Sequence, residues 1–350
     1  MIDIIDFDNC TENGRMYGGK AGSKLGIIYN GENWILKFPK STKGMRTKDI
    51  SYTTSPLSEY LGSQIYKILG YDVHETKLGI KDEKLVVALK DFTESGFVFR
   101  EFSEIKNYYN KRLEEILDET ISETDDHGSC LSAIKIHLEY NPMLNKIKGA
   151  SDRFWDCVIV DGLINNNDRN SSNWGIMTNE KGESKLAPIY DNGGSFSNKM
   201  SEIQIEKMLG DENRLFISST STTTGYVEDG KSISFFDMMQ RNDPELIEAL
   251  QRVVPKISVK MPEIKDLFAS LPNSYKGISV ISEGRKEFYL KGMEIRLKQI
   301  LVPALERASE ISKAKDTLNQ GISKNIESAV SKVSNNTKEE IKIKSYEKSR

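Results

Sequence analysis

Three oxygen-bearing side chains in the middle of the chain have the spacing that phosphoryl transfer requires. Asp168 precedes Asn173 by five residues and follows an apolar run that ends at Leu163, and Asp191 comes later in an Asp-Asn-Gly-Gly sequence. A carboxylate on a rigid loop can accept the proton of a hydroxyl group, while a carboxamide and a second carboxylate offer oxygen ligands to Mg²⁺. This pattern predicts Asp168 as a catalytic base and Asn173 and Asp191 as metal ligands.

Each of these residues also has an ordinary structural interpretation. Asn-rich and Asp-Asn-Gly segments are typical of turns, so Asp168 or Asp191 taken alone would be read as a turn residue. The functional interpretation depends on their joint spacing. A hairpin leading from Asn173 to Asp191 would bring residues that are eighteen positions apart to one metal ion.

A strand lysine and a glycine-rich turn are candidates for a phosphate site. Lys37 lies in an apolar segment, where it could face water or could direct its ammonium at the α- and β-phosphates of ATP. Glu59, on a predicted helix, is its candidate partner and could face either the cleft or water. Backbone N–H groups of the glycine-rich turn could cradle phosphate, although the turn does not match the GxxxxGK[ST] pattern of P-loop NTPases. The turn consists of Gly18, Gly19, Lys20, Ala21, Gly22 and Ser23.

Composition excludes several classes of protein. A 37% apolar content over 350 residues supports a folded core, and a net charge of −3 gives no general attraction to nucleic acid or membranes. Three widely spaced cysteines show neither a disulfide framework nor a zinc pattern, and no segment is apolar enough to cross a membrane. We therefore expect a cytoplasmic protein, or one exported by a route that its sequence does not display.

Local patterns predict the elements that position these residues. Apolar runs at residues 25–29 and 34–38 flank an Asn-Gly turn and predict a hairpin, and a helix is predicted from an N-cap at Ser55 to Gly70. A second helix, with its cap at Ser151-Asp152, leads to Leu163, and residues 173–191 predict the hairpin between the metal ligands. The order of strands followed by helices favours a two-lobed α+β enzyme.

These elements predict three regions. They are a β-rich nucleotide-binding lobe at residues 1–92, a helical catalytic lobe at 93–308, and an amphipathic or disordered tail at 309–350. The tail has an apolar stripe, so it is either a frayed helical extension or a surface that binds a partner protein. The run of seven hydroxyl residues at 218–224 is either a flexible loop or polar strand, or a mobile segment that is phosphorylated or positions substrate.

In these motifs the chain resembles the HipA-like serine/threonine kinases, and within them the CtkA branch, over residues 14–305. The resemblance implies a bilobal kinase-like fold, ATP and Mg²⁺ as cofactors, and the roles given above for Lys37, Asp168, Asn173 and Asp191. It further implies that the main chain from Lys90 to Phe92 is a hinge that binds adenine, and that Ser23 is a candidate phosphorylation site. HipA-type sequences often carry Gly-His after the catalytic aspartate, whereas Arg169-Asn170 stand there in this chain.

We therefore predict an ATP- and Mg²⁺-dependent protein serine/threonine kinase that phosphorylates itself and a protein substrate, without direct binding to nucleic acid or membranes. Three alternatives remain open. The same motifs fit a small-molecule phosphotransferase of the aminoglycoside type, a nucleotide-binding pseudokinase scaffold, or a kinase-like enzyme that transfers AMP.

Overall fold

A computed structural model describes residues 2–15, 17, 24–45, 49–94, 96–118, 121 and 129–319. The chain divides into two compact units, Met1–Ala304 and Leu305–Arg350. In the second unit, residues 305–319 are α-helical. The glycine-rich turn from Gly18 to Ser23 lies outside the described residues, as does the part of the tail after residue 319. No described helix has both the length and the apolarity that crossing a membrane requires.

A six-stranded sheet forms the first lobe, in the order β1-β5-β6-β4-β3-β2. Its strands are β1 (Ile5–Asp6), β2 (Thr11–Glu12), β3 (Lys24–Tyr29), β4 (Glu32–Lys37), β5 (Thr76–Lys81) and β6 (Lys84–Lys90). The predicted hairpin is β3 and β4, and its turn places Asn30 and Gly31 at positive φ. Because alternate residues of a strand face one side, Trp34 and Leu36 point into a core with Phe7 and Ile27.

Helix α1 (Ser55–Ile68) packs against strands β5 and β6 of this sheet. The prediction that Ser55 caps the helix is wrong, because Ser55 is already helical and Thr54 precedes the first turn. Pro56 lies in the first turn, as expected, since its missing N–H is not needed there. Gly70 adopts a φ of +80° just after the helix ends.

The second lobe is mainly helical. It begins with a 3₁₀ turn (Phe92–Glu94), then β7 (Phe97–Glu101), α2 (Phe102–Leu117), β8 (Ser129–Cys130), α3 (Leu131–Tyr140), α4 (Ala150–Leu163), β9 (Gly175–Asn179) and β10 (Ser184–Leu186). It continues with α5 (Glu202–Leu209), α6 (Glu212–Thr220), β11 (Thr223–Glu228), β12 (Lys231–Ser234), α7 (Phe235–Met239), α8 (Pro244–Ser270), β13 (Ser274–Tyr275), β14 (Ile278–Ser279), α9 (Glu283–Arg296) and a π-helical turn (Leu297–Leu301).

Helix α4 leads into the loop that carries Asp168. It packs against α8 and has only buried residues from Phe154 to Leu163, so its C-terminal end is held in the core. Its N-cap is Gly149, at a φ of +78°, and the predicted cap at Ser151-Asp152 is wrong because both residues lie inside the helix. The predicted hairpin is β9 and β10, which pair antiparallel, and β7 adds a third strand beside β9.

Candidate active site

Three charged residues from separate elements meet at the junction of the two lobes. Lys37, the last residue of β4, places its Nζ 2.8 Å from Oε2 of Glu59 on α1 and 2.8 Å from Oδ1 of Asp191. The lysine therefore faces inward, and Glu59, which is 1% exposed, faces the cleft. The sequence left open whether Lys37 and Glu59 face water or the cleft. In the structure both face the cleft and form an ion pair.

Electrostatic pairing keeps these groups charged in spite of their burial. Burial would lower the pKa of the Lys37 ammonium, but the charges of Asp191 and Glu59 outweigh burial and raise this pKa above its ordinary value. Burial would likewise raise the pKa of the Glu59 carboxyl, but the charge of Lys37 and a hydrogen bond from His74 hold that pKa well below its usual range. A fixed, charged lysine is the arrangement that binding a nucleotide phosphate requires.

The second oxygen of Glu59 is held as firmly as the first. Its Oε1 accepts a hydrogen bond from the backbone N–H of Asn192 at 2.9 Å and lies 3.2 Å from Nε2 of His74. The Asn192 side chain in turn donates to Oγ of Ser63 at 3.0 Å. Helix α1 is therefore tied directly to the residue that follows Asp191.

Asp168 lies on an exposed loop that begins where α4 ends. Its backbone carbonyl accepts hydrogen bonds from the N–H of Asn170 at 2.9 Å and from Nδ2 of Asn173. Gly194 passes so close that an added Cβ would lie 2.7 Å from Cβ of Asp168 and 2.7 Å from Oδ1 of Asn166. The Asp-Asn-Gly-Gly sequence therefore needs its last glycine to let the two loops approach each other.

Asn173 and Asp191 offer oxygen atoms suited to a magnesium ion. The amide nitrogen of Asn173 is used by the carbonyl of Asp168, which leaves the carboxamide oxygen as its available ligand atom. Asp191 is held at a φ of +58° with its side chain 38% exposed, and Lys37 contacts Oδ1. Magnesium prefers oxygen ligands and completes its shell with phosphate and water, so one carboxamide and one carboxylate fit it.

Arg169 connects the two segments that carry Asn173 and Asp191, a contact that the sequence did not predict. Its guanidinium donates to the backbone carbonyls of Asn173 at 3.0 Å and of Tyr190, and to Oδ1 of Asn192 at 2.6 Å. The remaining N–H groups donate to Oδ2 of Asp161 at 2.8 Å and to Oδ1 at 3.1 Å. All five guanidinium N–H groups are therefore used.

Asp161, on the inner face of α4, anchors this arginine and reaches the other lobe. Its Oδ1 also accepts hydrogen bonds from Oη of Tyr66 on α1 at 2.9 Å and from Nδ2 of Asn166 at 2.9 Å. Burial would lower the pKa of the Arg169 guanidinium, but the charge of Asp161 raises it well above its ordinary value. The sequence contained one sign of this role. Arg169 directly follows Asp168, at the position where HipA-type chains often carry Gly-His.

A cleft of about 550 Å³ joins these groups. Its walls include Lys37, Glu59, Asp168, Asn173 and Asp191, so the structure brings the predicted base, metal ligands and phosphate lysine to one site. Other residues on its walls are Lys24, Phe38, Lys40, Met45, Thr53, Ser55, Pro56, Asn167, Asn170, Ser172, Gly193, Gly194, Asn198 and Lys199. Among the described residues, no cluster of three or more His, Cys, Asp or Glu side chains of the kind that binds a metal occurs.

The predicted hinge does not line this cleft. Lys90 pairs its side chain with Glu32 at 2.6 Å, and the ring of Phe92 packs against Phe99 and Tyr190. The backbone N–H of Lys90 donates to Glu75, and that of Asp91 donates to Asn33. Adenine binding through these two amides would therefore require them to leave their present partners.

The hydroxyl run at 218–224 is divided between two elements. Residues 218–220 form the last turn of α6, and strand β11 begins at Thr223, so the flexible-loop interpretation does not describe it. Gly225 brings β11 against the loop that carries Asp168, because an added Cβ there would lie 2.9 Å from the carbonyl oxygen of Arg169. The residue that follows the run therefore packs against this loop.

A model of the HipA-like C-terminal domain family matches residues 19–224. The serine/threonine-protein kinase CtkA of Helicobacter pylori is 31% identical over 317 residues, which is 89% of this chain and 90% of that protein. A crystal structure of a Helicobacter pylori proinflammatory kinase CtkA superimposes with a TM-score of 0.76 at 28% identity and covers 89% of this chain and 99% of the other. The predicted bilobal α+β fold is thereby confirmed.

A weaker structural similarity is to HipA of Shewanella oneidensis, solved with HipB and operator DNA. Its TM-score is 0.46 at 13% identity, with 85% of this chain and 68% of the other covered.

Proposed function

This chain belongs to the HipA-like C-terminal domain family, and we propose that it transfers the γ-phosphoryl group of ATP, with Mg²⁺, to serine or threonine hydroxyls of proteins, its own included. Its similarity to CtkA over most of both chains confirms the predicted enzyme class, a protein serine/threonine kinase. One observation carries the finer proposal: Lys37 contacts both Glu59 and Asp191 at 2.8 Å in the cleft that Asp168 and Asn173 also line.

Lys37 and its partners prepare the phosphate site before nucleotide enters. Glu59 is fixed by Asn192 and His74, so it holds the Lys37 ammonium in one position without a rearrangement on binding. A preorganised positive charge stabilises negative charge on phosphate oxygens more effectively than mobile water does. Asn173 and Asp191 would hold Mg²⁺, which when bound neutralises further charge on those oxygens.

Asp168 is the group that accepts the proton of the acceptor. As the serine or threonine oxygen forms its bond to the γ-phosphorus, the bond from that phosphorus to the bridging oxygen of the β-phosphate breaks and ADP leaves. The hydroxyl proton passes to the carboxylate of Asp168, which is exposed at the cleft and so accessible to an acceptor side chain.

The charge of the cleft favours a protein acceptor over an aminoglycoside. A polycationic acceptor requires acidic walls, whereas Lys40 and Lys199 line this cleft in addition to Lys37. Two of the carboxylates there, Glu59 and Asp191, are already paired with Lys37. Binding of a partner protein by residues 309–350 stays a prediction, as does phosphorylation at Ser23.

Intact mass spectrometry of the pure protein after incubation with Mg-ATP tests this proposal. We expect a mass gain of whole phosphate groups, transfer to added dephosphorylated casein, and phosphoserine or phosphothreonine on hydrolysis. An AMP-sized gain would indicate nucleotide transfer, and phosphorylation of kanamycin alone would indicate a small-molecule kinase. No transfer, with nucleotide still bound, would indicate a scaffold.

Matched variants test the site itself. Asp168→Asn and Asp191→Asn keep the side-chain shape and are expected to lower transfer by 10²-fold or more, on the order of the loss of a catalytic acid–base group. Asp229→Asn is the control, because Asp229 is an exposed aspartate that also has a positive φ, of 50°, in the turn between β11 and β12. Substantial transfer by both active-site variants would refute the assignments.

A further inference from the structure

Three arginines of the second lobe are almost fully buried, and two of them have a carboxylate partner. Arg169 is 3% exposed and pairs with Asp161, and Arg285 is 3% exposed and pairs with Glu202. Arg296 is 5% exposed, and within the described part of the chain its guanidinium makes one hydrogen bond, from Nε to the carbonyl of Leu163 at 2.8 Å. The two terminal nitrogens of Arg296 therefore lack the counter-charge that the other two arginines have.

A buried, unpaired charge such as that of Arg296 lowers the stability of the folded protein. Burial lowers the pKa of the Arg296 guanidinium to about 9, and no charge among the described residues opposes this effect. The side chain is still protonated at neutral pH, so a full positive charge stands in the interior without a carboxylate from the described part of the chain. Removing a charge from water is strongly unfavourable unless an opposite charge or a set of hydrogen bonds replaces the water.

A small polar cavity adjoins this guanidinium. It has a volume of about 20 Å³, which holds a single particle of the size of water. The cavity is lined by Asn165, Phe196, Ser197, Ser218, Ser219, Phe288, Tyr289, Gly292 and Arg296. Hydroxyl groups donate well to anions, and a space of this size suits a monatomic anion better than phosphate or sulfate.

We propose that this cavity binds a monovalent anion of halide size between Arg296 and the serine hydroxyls on its walls. A water molecule would fill the same space but would leave the positive charge uncompensated. A halide supplies one negative charge, fits a water-sized space with little adjustment, and accepts hydrogen bonds from both the guanidinium and hydroxyl groups. This inference is independent of the proposed kinase activity.

The position of the cavity determines what the anion stabilises. Arg296 holds the carbonyl of Leu163, the last residue of α4, and Asn165 on the cavity wall donates to Oγ of Ser197 at 3.1 Å. Asn165 begins the loop that carries Asp168, and Ser197 ends the loop that starts at Asp191. Both residues have a positive φ, of 55° and 52°, so these loops depend on their contacts.

Crystals grown or soaked in sodium bromide give a direct test of the site. We expect an anomalous bromine peak within hydrogen-bond distance of the terminal nitrogens of Arg296. A water molecule there in the presence of bromide, or bromine peaks at other sites only, would overturn the proposal.

Thermal unfolding of the full chain gives a second test. Moving from sodium gluconate to sodium bromide or chloride at equal ionic strength is expected to raise the midpoint by about 2–4 °C, the shift for a ligand well above its dissociation constant. Arg296→Met should abolish this difference, and Ser219→Val, which fills the cavity, should do the same if Arg296→Met fails to fold. Arg252→Met, at a half-exposed arginine paired with Asp156, is the control and should keep it. An unchanged halide effect in the cavity variants would refute the site.

Discussion

Replacement of Arg169 by lysine tests whether this buried arginine positions the metal ligands. Lysine keeps the charge beside Asp161 but has three donors on one nitrogen in place of five in a planar fork. At least two of the five present acceptors then lose their hydrogen bond. Because the ammonium stays beside Asp161, we expect the lost acceptors to be among the carbonyls of Asn173 and Tyr190 and the side chain of Asn192. Arg169 acts through these groups, so we regard it as a positioning residue.

The size of the effect follows from the number of lost bonds. A buried acceptor left unpaired costs about 1–3 kcal/mol, so two of them lower the free energy of unfolding by about 2–6 kcal/mol. That loss is smaller than the stability of most domains, which is about 5–15 kcal/mol, so the variant should still fold. Loss of the groups that orient metal ligands typically weakens metal binding about 10–100-fold. We therefore expect the Mg²⁺ concentration for half-maximal activity to rise by that factor.

The assay combines urea unfolding with phosphoryl transfer measured over a series of Mg²⁺ concentrations. Arg285→Lys is the matched control, since Arg285 is equally buried but is bonded to Glu202, Tyr289 and Met200 and not to Asn173 or the segment at 190–192. It should lose similar stability and keep the wild-type dependence on Mg²⁺. The reasoning is refuted if both variants show the same Mg²⁺ dependence.

Two further perturbations follow from the contacts. Gly194→Ala places a Cβ 2.7 Å from that of Asp168. Such overpacking costs about 1–3 kcal/mol, and the resulting displacement of Asp168 should lower kcat at least tenfold. Gly284→Ala, whose added Cβ has its nearest contact at 3.9 Å, should leave kcat unchanged. Burial, with a smaller effect of Lys106, lowers the pKa of His137 to about 4 from an ordinary value of 6.5. The unfolded chain therefore binds the proton first, and the free energy of unfolding decreases by about 3 kcal/mol as the pH falls from 6.5 to 4. Urea unfolding of His137→Gln should show a smaller decrease over this pH range. A decrease equal to that of the wild type would contradict the prediction.

The sequence predicted the elements that carry the site because their signals are local. The Asn-Gly turn defines the β3–β4 hairpin, and the apolar run that leads to Leu163 defines the end of α4. The elements that these patterns predicted carry Lys37 and Asp168, which both line one cleft. Helix α8 went unpredicted, because Pro255 and Pro262 lie inside it and proline normally ends a helix.

The contacts that organise the site could not be read from spacing. Arg169 takes its partners from α4, from the carbonyl of Asn173 and from the segment at 190–192, and a single chain gives no sign of such a meeting. The direction of Glu59 had the same ambiguity, since a residue opposite an apolar stripe faces either water or another lobe. Both answers depend on how the lobes pack, which is a property of the whole fold.

The connection between the lobes follows from one set of buried contacts. Helix α1 holds Asn192 through Glu59 and Ser63, and it holds Asp161 through Tyr66 at 2.9 Å. Asp161 and Asn192 are also the two side chains that Arg169 binds. Moving α1 away from Lys37 would therefore break at least three hydrogen bonds and expose the pair of Asp161 and Arg169. Each neutral hydrogen bond contributes about 0.5–1.5 kcal/mol and the charged pair contributes more, so the total cost is several kcal/mol. Displacement of this helix, which would separate Glu59 from Lys37, is thus strongly opposed by contacts within the described residues.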